Sequence, residues 1–375
     1  MRIGLDVTAA VSQGAGIGRY TRELVRALAA AEPQHAYRLF FASRTRPHPL
    51  PALPANFHLT ALPVHDIWLA RVWHRARLPL PVEVFTGPLD LFHSPDFTLP
   101  PVRRGTPTLL TVHDLSFVRD PESAAPGLRA YLNTVVPRSV ARATHLLADS
   151  EATRRDLMDL YHVPAERITV LYCGVEPRFR PVTDPAALAA VRARYHLGAQ
   201  PFLLGISTLQ PRKNYVRLIQ AFAQLAEPEL RLVIAGGRGW LYDAIFAEVE
   251  RLGLGERVRF PGFIADADLP ALYSAARGLA YPSLYEGFGL PLLEAMACGT
   301  PVVTSTAACL PEVAGDAAWL VDPYDVPALA AALGRLVNAE TERAALIQRG
   351  FARAAHFQWA DAARQLLALY ARLGR

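Results

Sequence analysis

Lysine is almost missing from this chain: of 39 basic residues 38 are arginine, and the one exception is Lys213. Cysteine is scarce too. Cys173, Cys298 and Cys309 share no CxxC spacing, which argues against structural zinc and for reduced thiols. No apolar run approaches the roughly 18 residues that a membrane span needs, and Asp6 interrupts the start before a signal-peptide core could form, so the chain reads as cytoplasmic. No HExxH and no His or Cys cluster supports a metal, and no G-x-S-x-G elbow supports serine hydrolase chemistry.

The chain has 375 residues, 51% of them hydrophobic, more than one core usually serves, so two domains are expected. Charge is uneven. Residues 1–180 hold 21 Arg against 16 acids, whereas 181–375 balance 18 basic residues with 18 acids. The first half should therefore face something anionic more readily. The excess is too modest for nucleic acid, and no stacking or basic-helix motif accompanies it.

Strand-like runs alternate with helical patterns throughout. "MRIGLDVT" leads through the glycine loop "SQGAGIGR" into the helix "YTRELVRALAAAE", and "YRLFFAS", "LDLFHSP", "TLLTVHD", "THLLADS" and "ITVLYCG" follow. The stretch 174–185, "GVEPRFRPVTDP", carries four charged residues and three prolines and reads as a linker. Beyond it the alternation restarts with "PFLLGIS", "LRLVIAGG", "VRFPGF", "RGLAYPS", "TPVVTS" and "AAWLVDP". The expected fold is α/β, two tandem Rossmann-like doubly wound domains facing a central cleft at the carboxyl ends of their sheets. The expected division is 1–180, 181–355 and a C-terminal helix in 356–375 that crosses back to the first domain.

Two stretches in the second half carry chemistry. In "YPSLYEGFGLPLLEAMACGTPVVTS", 281–305, Glu286 and Glu294 flank a glycine turn that opens a helix, with Pro291 suited to its first turn and Gly299 to its end. Held on one helix, carboxylates eight apart would lie roughly 12 Å along its axis, too far for an acid–base dyad. Gly287 and Gly289 allow close backbone approach, and a helix start presents N–H groups suited to phosphate. In "GISTLQPRKNYVRLIQAF", Arg212 and Lys213 stand on a strand-to-helix loop, where a fork and a compact ammonium together suit a diphosphate. Taken singly, each has a bland reading: a first-turn acid complementing the helix dipole, and a solvated basic turn.

"RKN" followed by "YPSLYEGFGLPLLEAMACGTPVV" resembles the donor-binding half of retaining family 4 glycosyltransferases with the GT-B fold, whose E-x7-E signature matches Glu286 and Glu294. The likeness extends to "GIGRYTRELVRAL", "LFHSPDFTLPP", "TVHDLSF", "ADSEATRRDLMDLYHVPAERITVLYCGVE" and "GFIADADLPALYSAA". The resemblance implies that Arg212 and Lys213 hold the donor diphosphate with the backbone of Gly287, Phe288, Gly289 and Leu290. It implies Glu286 on the sugar hydroxyls and Glu294 on the ribose, with Gly262, Phe263 and Ile264 beside the base. It places Gly16 and Gly18 in a glycine loop lining the cleft and makes His113 an active-site histidine. Asp114 is left either to orient His113 or to cap the next turn. Where relatives read NGVD, this chain has Cys173, Gly174, Val175 and Glu176.

The expected activity is retaining, metal-independent transfer of a hexose from a nucleotide-diphosphate sugar to a glycan or lipid-linked hydroxyl acceptor, without a further cofactor. GDP-mannose is favoured because "TVHDLSF" with the 281–305 stretch is most similar to bacterial mannosyltransferases; a UDP-sugar is possible. Rival readings are a nucleotide-sugar epimerase or a glycan phosphorylase on the same plan, and a non-catalytic nucleotide-sugar binding protein. A dinucleotide site is disfavoured, because "GAGIGR" spaces its glycines as G-x-G-x-G; only Glu32 would serve its ribose. Asp266 and Asp268 read as caps ahead of a helix. "IWLARVWHRARLPL", 67–80, reads as a surface helix packed by its tryptophans, with peripheral contact at the inner face of the membrane as the alternative.

Overall fold

Short β-branched and leucine-rich runs, most of them followed by a helix, can bury both faces only by pairing side by side beneath their helices. The computed structural model describes all residues except Ala15, Glu32, Pro33, Arg46, Pro47 and Arg375, so Glu32 lies outside the described residues. The chain divides into two compact units: Met1–Leu115 with Gly127–Gly174 and Gln358–Arg375, and Ser116–Pro126 with Val175–Phe357.

In the first unit the strands are β1 (Arg2–Asp6), β2 (Ala36–Ala42), β3 (Phe57–Leu62), β4 (Leu91–Ser94), β5 (Thr108–Val112), β6 (His145–Ala148) and β7 (Ile168–Val170). They form one parallel sheet in the order β3-β2-β1-β4-β5-β6-β7. The central strands β4, β5 and β6 are buried at every position, as helices on both faces require. The helix Trp359–Leu373 packs beside the helix Ile17–Ala30, burying Trp359, Leu366 and Leu369. Its Tyr370 hydroxyl meets His93 Nδ1 at 2.7 Å, and His93 Nε2 meets Thr111 Oγ1 at 3.0 Å. Burial, aided by His113, pushes that imidazole down to about 3, so it is neutral.

In the second unit the strands are β8 (Phe202–Ile206), β9 (Arg231–Ala235), β10 (Val258–Gly262), β11 (Gly278–Tyr281), β12 (Val302–Ser305) and β13 (Ala318–Val321). They too are parallel, in the order β10-β9-β8-β11-β12-β13. The order reverses between β8 and β11, which pair directly through Leu203↔Gly278 and Leu204↔Leu279. Loops leaving the carboxyl ends of these two strands therefore emerge side by side.

Two local expectations need correction. The segment 67–80 is not one surface helix: a helical turn Asp66–Ala70 runs into a π-turn Arg71–Arg75, and its two tryptophans part. Trp73 is buried near the rings of Phe40 and Phe85 and donates from Nε1 to the Leu80 carbonyl at 2.9 Å, whereas Trp68 stays 56% exposed. Asp268 begins the helix Leu269–Ala275 without capping it, because Arg194 and the Tyr195 hydroxyl, each 2.7 Å away, take its carboxylate. Asp266 lies 3.5 Å from Arg178.

Candidate active site

β8 ends at Ile206, and its loop closes in a single 3-10 turn, Pro211–Lys213, that sets Arg212 and Lys213 on adjacent positions. Asn214 follows in the left-handed conformation, φ 61°, and its side-chain amide donates to the carbonyls of Pro282 at 3.0 Å and Pro323 at 2.7 Å. The Leu284 N–H donates to the Arg212 carbonyl at 2.8 Å. These bonds stitch the β8 loop to the β11 loop, and the stitching brings Glu286 to the two cations.

Lys213 Nζ donates to Glu286 Oε1 at 2.5 Å, and Arg212 donates to Oε2 at 2.9 Å and to the Tyr285 carbonyl at 2.7 Å. Tyr281, the last residue of β11, donates its hydroxyl to Glu286 Oε1 at 2.8 Å and accepts from Lys213 at 3.1 Å. The Glu286 and Lys213 side chains are 8% and 9% exposed. Burial alone would push the Glu286 carboxyl up, but Lys213 and Arg212 overcome it and hold it down at about 2. Two cations thus meet on one carboxylate in this buried cluster.

Gly289, at φ 99°, turns the chain into the helix Leu290–Ala297, with Pro291 in its first turn and Gly299, φ 75°, just past its end. A side chain at Gly289 would be strained in that conformation. Phe288 is buried, with its ring 5.7 Å from that of Phe357, and its carbonyl accepts from Cys309 Sγ at 3.0 Å. Glu294 lies beyond the first turn and belongs to a different set of contacts: its Oε2 accepts from the buried Tyr273 hydroxyl at 2.8 Å. Among the candidates for the base, Gly262 has φ 79°, Ile264 is buried and the Phe263 side chain is exposed.

In the first unit, His113 follows β5 and Asp149 follows β6, whose register pairs Val112 with Ala148. His113 Nδ1 lies 2.7 Å from Asp149 Oδ2, and Nε2 lies 3.1 Å from the Pro95 carbonyl. Both partners only accept, so both ring nitrogens carry protons. Burial opposes the charged imidazole, yet Asp149, Asp96 and the Pro95 carbonyl outweigh it and raise the group to about 9. The rings of Tyr20 and Phe97 stand nearly perpendicular to it, with centroids 4.8 Å and 5.6 Å away. The residue that orients His113 is thus Asp149, not Asp114.

The glycine loop before the helix Ile17–Ala30 is held by Arg22, whose guanidinium donates to the carbonyls of Ala10 and Gln13 at 2.7 Å and of Gly14 at 2.8 Å. Gly16 sits at φ 57°. At Gly18 a Cβ would fall 2.2 Å from the Gln13 carbonyl oxygen, so only glycine lets the helix start so close to the loop.

Sequence reasoning missed Asp149, Tyr281, Asn214 and Tyr273. Asp149 had a signal: in parallel strands, residues directly after a paired end stand side by side, so pairing "TLLTVHD" with "THLLADS" puts His113 against Asp149. Asn214 had one as well, since asparagine favours left-handed turns. Tyr281 and Tyr273 had none beyond being apolar-run tyrosines whose buried hydroxyls need partners.

Comparison with known proteins assigns both units. The profile described as Glycosyl transferases group 1 matches residues 192–353, and the one described as Glycosyltransferase Family 4 matches residues 14–179. The chain is 35% identical over 374 residues to the O-antigen chain mannosyltransferase B of Escherichia coli, covering 95% of each chain. It is 30% identical to the MMP alpha-(1->4)-mannosyltransferase of Mycolicibacterium hassiacum, covering 99% of this chain and 98% of that one. The solved structure of sucrose-phosphate synthase from Thermosynechococcus elongatus shares the fold, with a TM-score of 0.79 at 24% identity over 100% of this chain and 99% of that one. Relatives that align almost end to end, over two Rossmann-like parallel sheets in tandem, place the chain in glycosyltransferase family 4, as a transferase of the GT-B fold.

Proposed function

We propose that the protein transfers mannose from GDP-mannose to a hydroxyl of a growing glycan or lipid-linked saccharide, with retention at the anomeric carbon and without a metal. The second unit takes the donor: Arg212 and Lys213 receive the diphosphate together with the N–H groups at the start of the helix Leu290–Ala297, Glu286 the sugar hydroxyls and Glu294 the ribose. Gly262, Phe263 and Ile264 lie beside the base. In the first unit, His113, Gly16 and Gly18 face the sugar and the acceptor.

The observation that carries this reading is the convergence of Arg212, Lys213 and Glu286 in one buried cluster where the sheet order reverses. In glycosyl transfer the bond from the sugar to the diphosphate breaks and the leaving oxygen gains negative charge. Fixed cations and N–H groups aimed at that oxygen stabilise the transition state more than the ground state. An imidazolium whose two N–H groups are held by Asp149 and the Pro95 carbonyl cannot accept a proton, so His113 acts as a fixed positive charge, not as a base. The choice of mannose and of a polysaccharide acceptor follows the mannosyltransferase relatives, one of them an O-antigen chain enzyme.

Among the described residues no helix is long and apolar enough to cross a membrane. The segment around Trp68 instead exposes Ile67, Trp68, Leu78, Leu80 and Val84 beside Arg71, Arg75 and Arg77, with no acid in 67–82. Such a surface suits the anionic inner face of a membrane, where a lipid-linked acceptor would be met.

The test is direct. GDP-mannose should raise the melting temperature and yield mannosylated product with the α-anomeric configuration by NMR, in chelator as well as in buffer. Stabilisation by UDP-glucose instead would change the donor, and donor conversion without any acceptor would replace transfer by epimerisation.

A further inference from the structure

Glu286 is the strong acceptor shared by the two cations of the proposed diphosphate seat. Each oxygen takes one of them, Oε1 from Lys213 at 2.5 Å and Oε2 from Arg212 at 2.9 Å, and the Tyr281 hydroxyl adds a third bond at 2.8 Å. A carboxylate offers about four lone-pair sites, so three donors leave little capacity for sugar hydroxyls. The cations are equally committed: Lys213 spends a further bond on Tyr281 and Arg212 one on the Tyr285 carbonyl. An arriving diphosphate must therefore compete with Glu286, and Glu286 gains acceptor capacity for the sugar only as the cations turn to phosphate.

We infer that Glu286 is a resident counter-anion of the diphosphate seat: it holds Arg212 and Lys213 when the seat is empty, yields them to a nucleotide-sugar, and reclaims them to expel the nucleoside diphosphate left after transfer. This rests on the donor reading above. A nucleotide-sugar compensates the carboxylate with hydroxyl donors, whereas a nucleoside diphosphate brings only like charge to a buried anion. The seat thus favours substrate over product by the hydroxyls of the sugar, and one side chain couples sugar recognition to product release. Tyr281 is the positioning residue of this exchange, since its hydroxyl touches both Lys213 and Glu286.

Calorimetric titration of the full chain with GDP, UDP and GDP-mannose at pH 7.5 tests it, using wild type, Glu286→Gln and Glu286→Asp. The amide keeps the shape and removes the charge. One charge-assisted contact returned to phosphate should tighten nucleoside diphosphate binding by at least about tenfold, while the sugar nucleotide gains less and transfer falls. Glu286→Asp keeps the charge but withdraws it by one methylene, and should tighten binding by a smaller factor; it carries the test if the glutamine variant loses its native circular dichroism. Wild type that binds GDP or UDP while both folded variants bind it equally or more weakly overturns the counter-anion role alone. Wild type that binds neither diphosphate and transfers nothing overturns the donor reading and this inference together.

Discussion

Lys213→Ala removes the one ammonium in a chain built on arginine, and its consequences can be worked from the contacts. For transfer, the variant loses a charge-assisted bond to the leaving diphosphate, about 1.5–3 kcal/mol, which is roughly a 10- to 150-fold fall in kcat/KM. For stability, Glu286 keeps Arg212 and the Tyr281 hydroxyl, so it is not stranded, but one of the two charges that hold its carboxyl at about 2 is gone. The sign is clear. A carboxyl held below the ordinary value stabilises the fold above that value, and this contribution is lost as pH falls toward about 2; against a reference of 4.5 it amounts to something on the order of 3 kcal/mol. In Lys213→Ala the loss should begin at higher pH, so the acid limb of the melting curve shifts upward while the neutral plateau drops modestly. Lys213→Arg should not restore activity, because a planar guanidinium cannot occupy the buried ammonium position between Tyr281 and Glu286. The assay is initial-rate transfer from GDP-mannose with melting temperature measured across pH. Unchanged kcat/KM in Lys213→Ala would refute the role in phosphate binding, and an unmoved acid limb would refute the electrostatic account of Glu286.

Three further outcomes are expected. The His113 imidazole, raised to about 9, stabilises the folded state fully below its ordinary 6.5, and this contribution disappears as pH rises through 9; an NMR titration showing a midpoint below 6.5 would break the Asp149 argument. Gly289→Ala forces a side chain to φ 99° with its Cβ 3.0 Å from Leu310, costing about 1–2 kcal/mol by urea unfolding and weakening nucleotide binding through the displaced helix start. Trp73→Ala should cost about 3–5 kcal/mol as a buried aromatic, whereas Trp68→Ala should change stability by under about 0.5 kcal/mol and reduce sedimentation with phosphatidylglycerol vesicles.

Where a segment is buried on both faces its sequence announces it, and runs such as "TLLTV" and "FLLGI" read as strands because no charged residue interrupts them. β3 escaped for the opposite reason. It is an edge strand that pairs with β2 among the described residues, buries Phe57 alone of its six residues, and is flanked by prolines that read as loop. The tryptophans of 67–80 could not be separated by pattern, since the burial of Trp73 depends on Phe40 and Phe85, which are distant in sequence. In the site, Arg212, Lys213 and Glu286 were legible as types at telling positions. Their mutual ion pairing was not, because a motif reports the ligand a residue serves and is silent on what holds it before the ligand arrives. The Asp-x-Asp pair failed similarly: a cap is a local rule, and Arg194, 74 positions away, outbid it.

The two clusters share one geometric cause. In a parallel sheet the residues that leave adjacent strands together stay together, so β5 and β6 deliver His113 to Asp149, and β8 and β11 deliver Lys213 to Glu286. The second pair sits where the strand order reverses and the helices following its two strands lie on opposite faces, which leaves the space a ligand needs. The first does not: the reversal in that sheet falls between β1 and β4, one strand away, so β5 and β6 are followed by neighbours on the same face. His113 is accordingly packed against Tyr20 and Phe97 with both nitrogens satisfied, a group fixed in place and charge. The Lys213–Glu286 pair lies where its partners can be exchanged. The same rule of strand register thus supplies one rigid cation and one set that, on the proposed reading, exchanges its partners to take up and release a diphosphate.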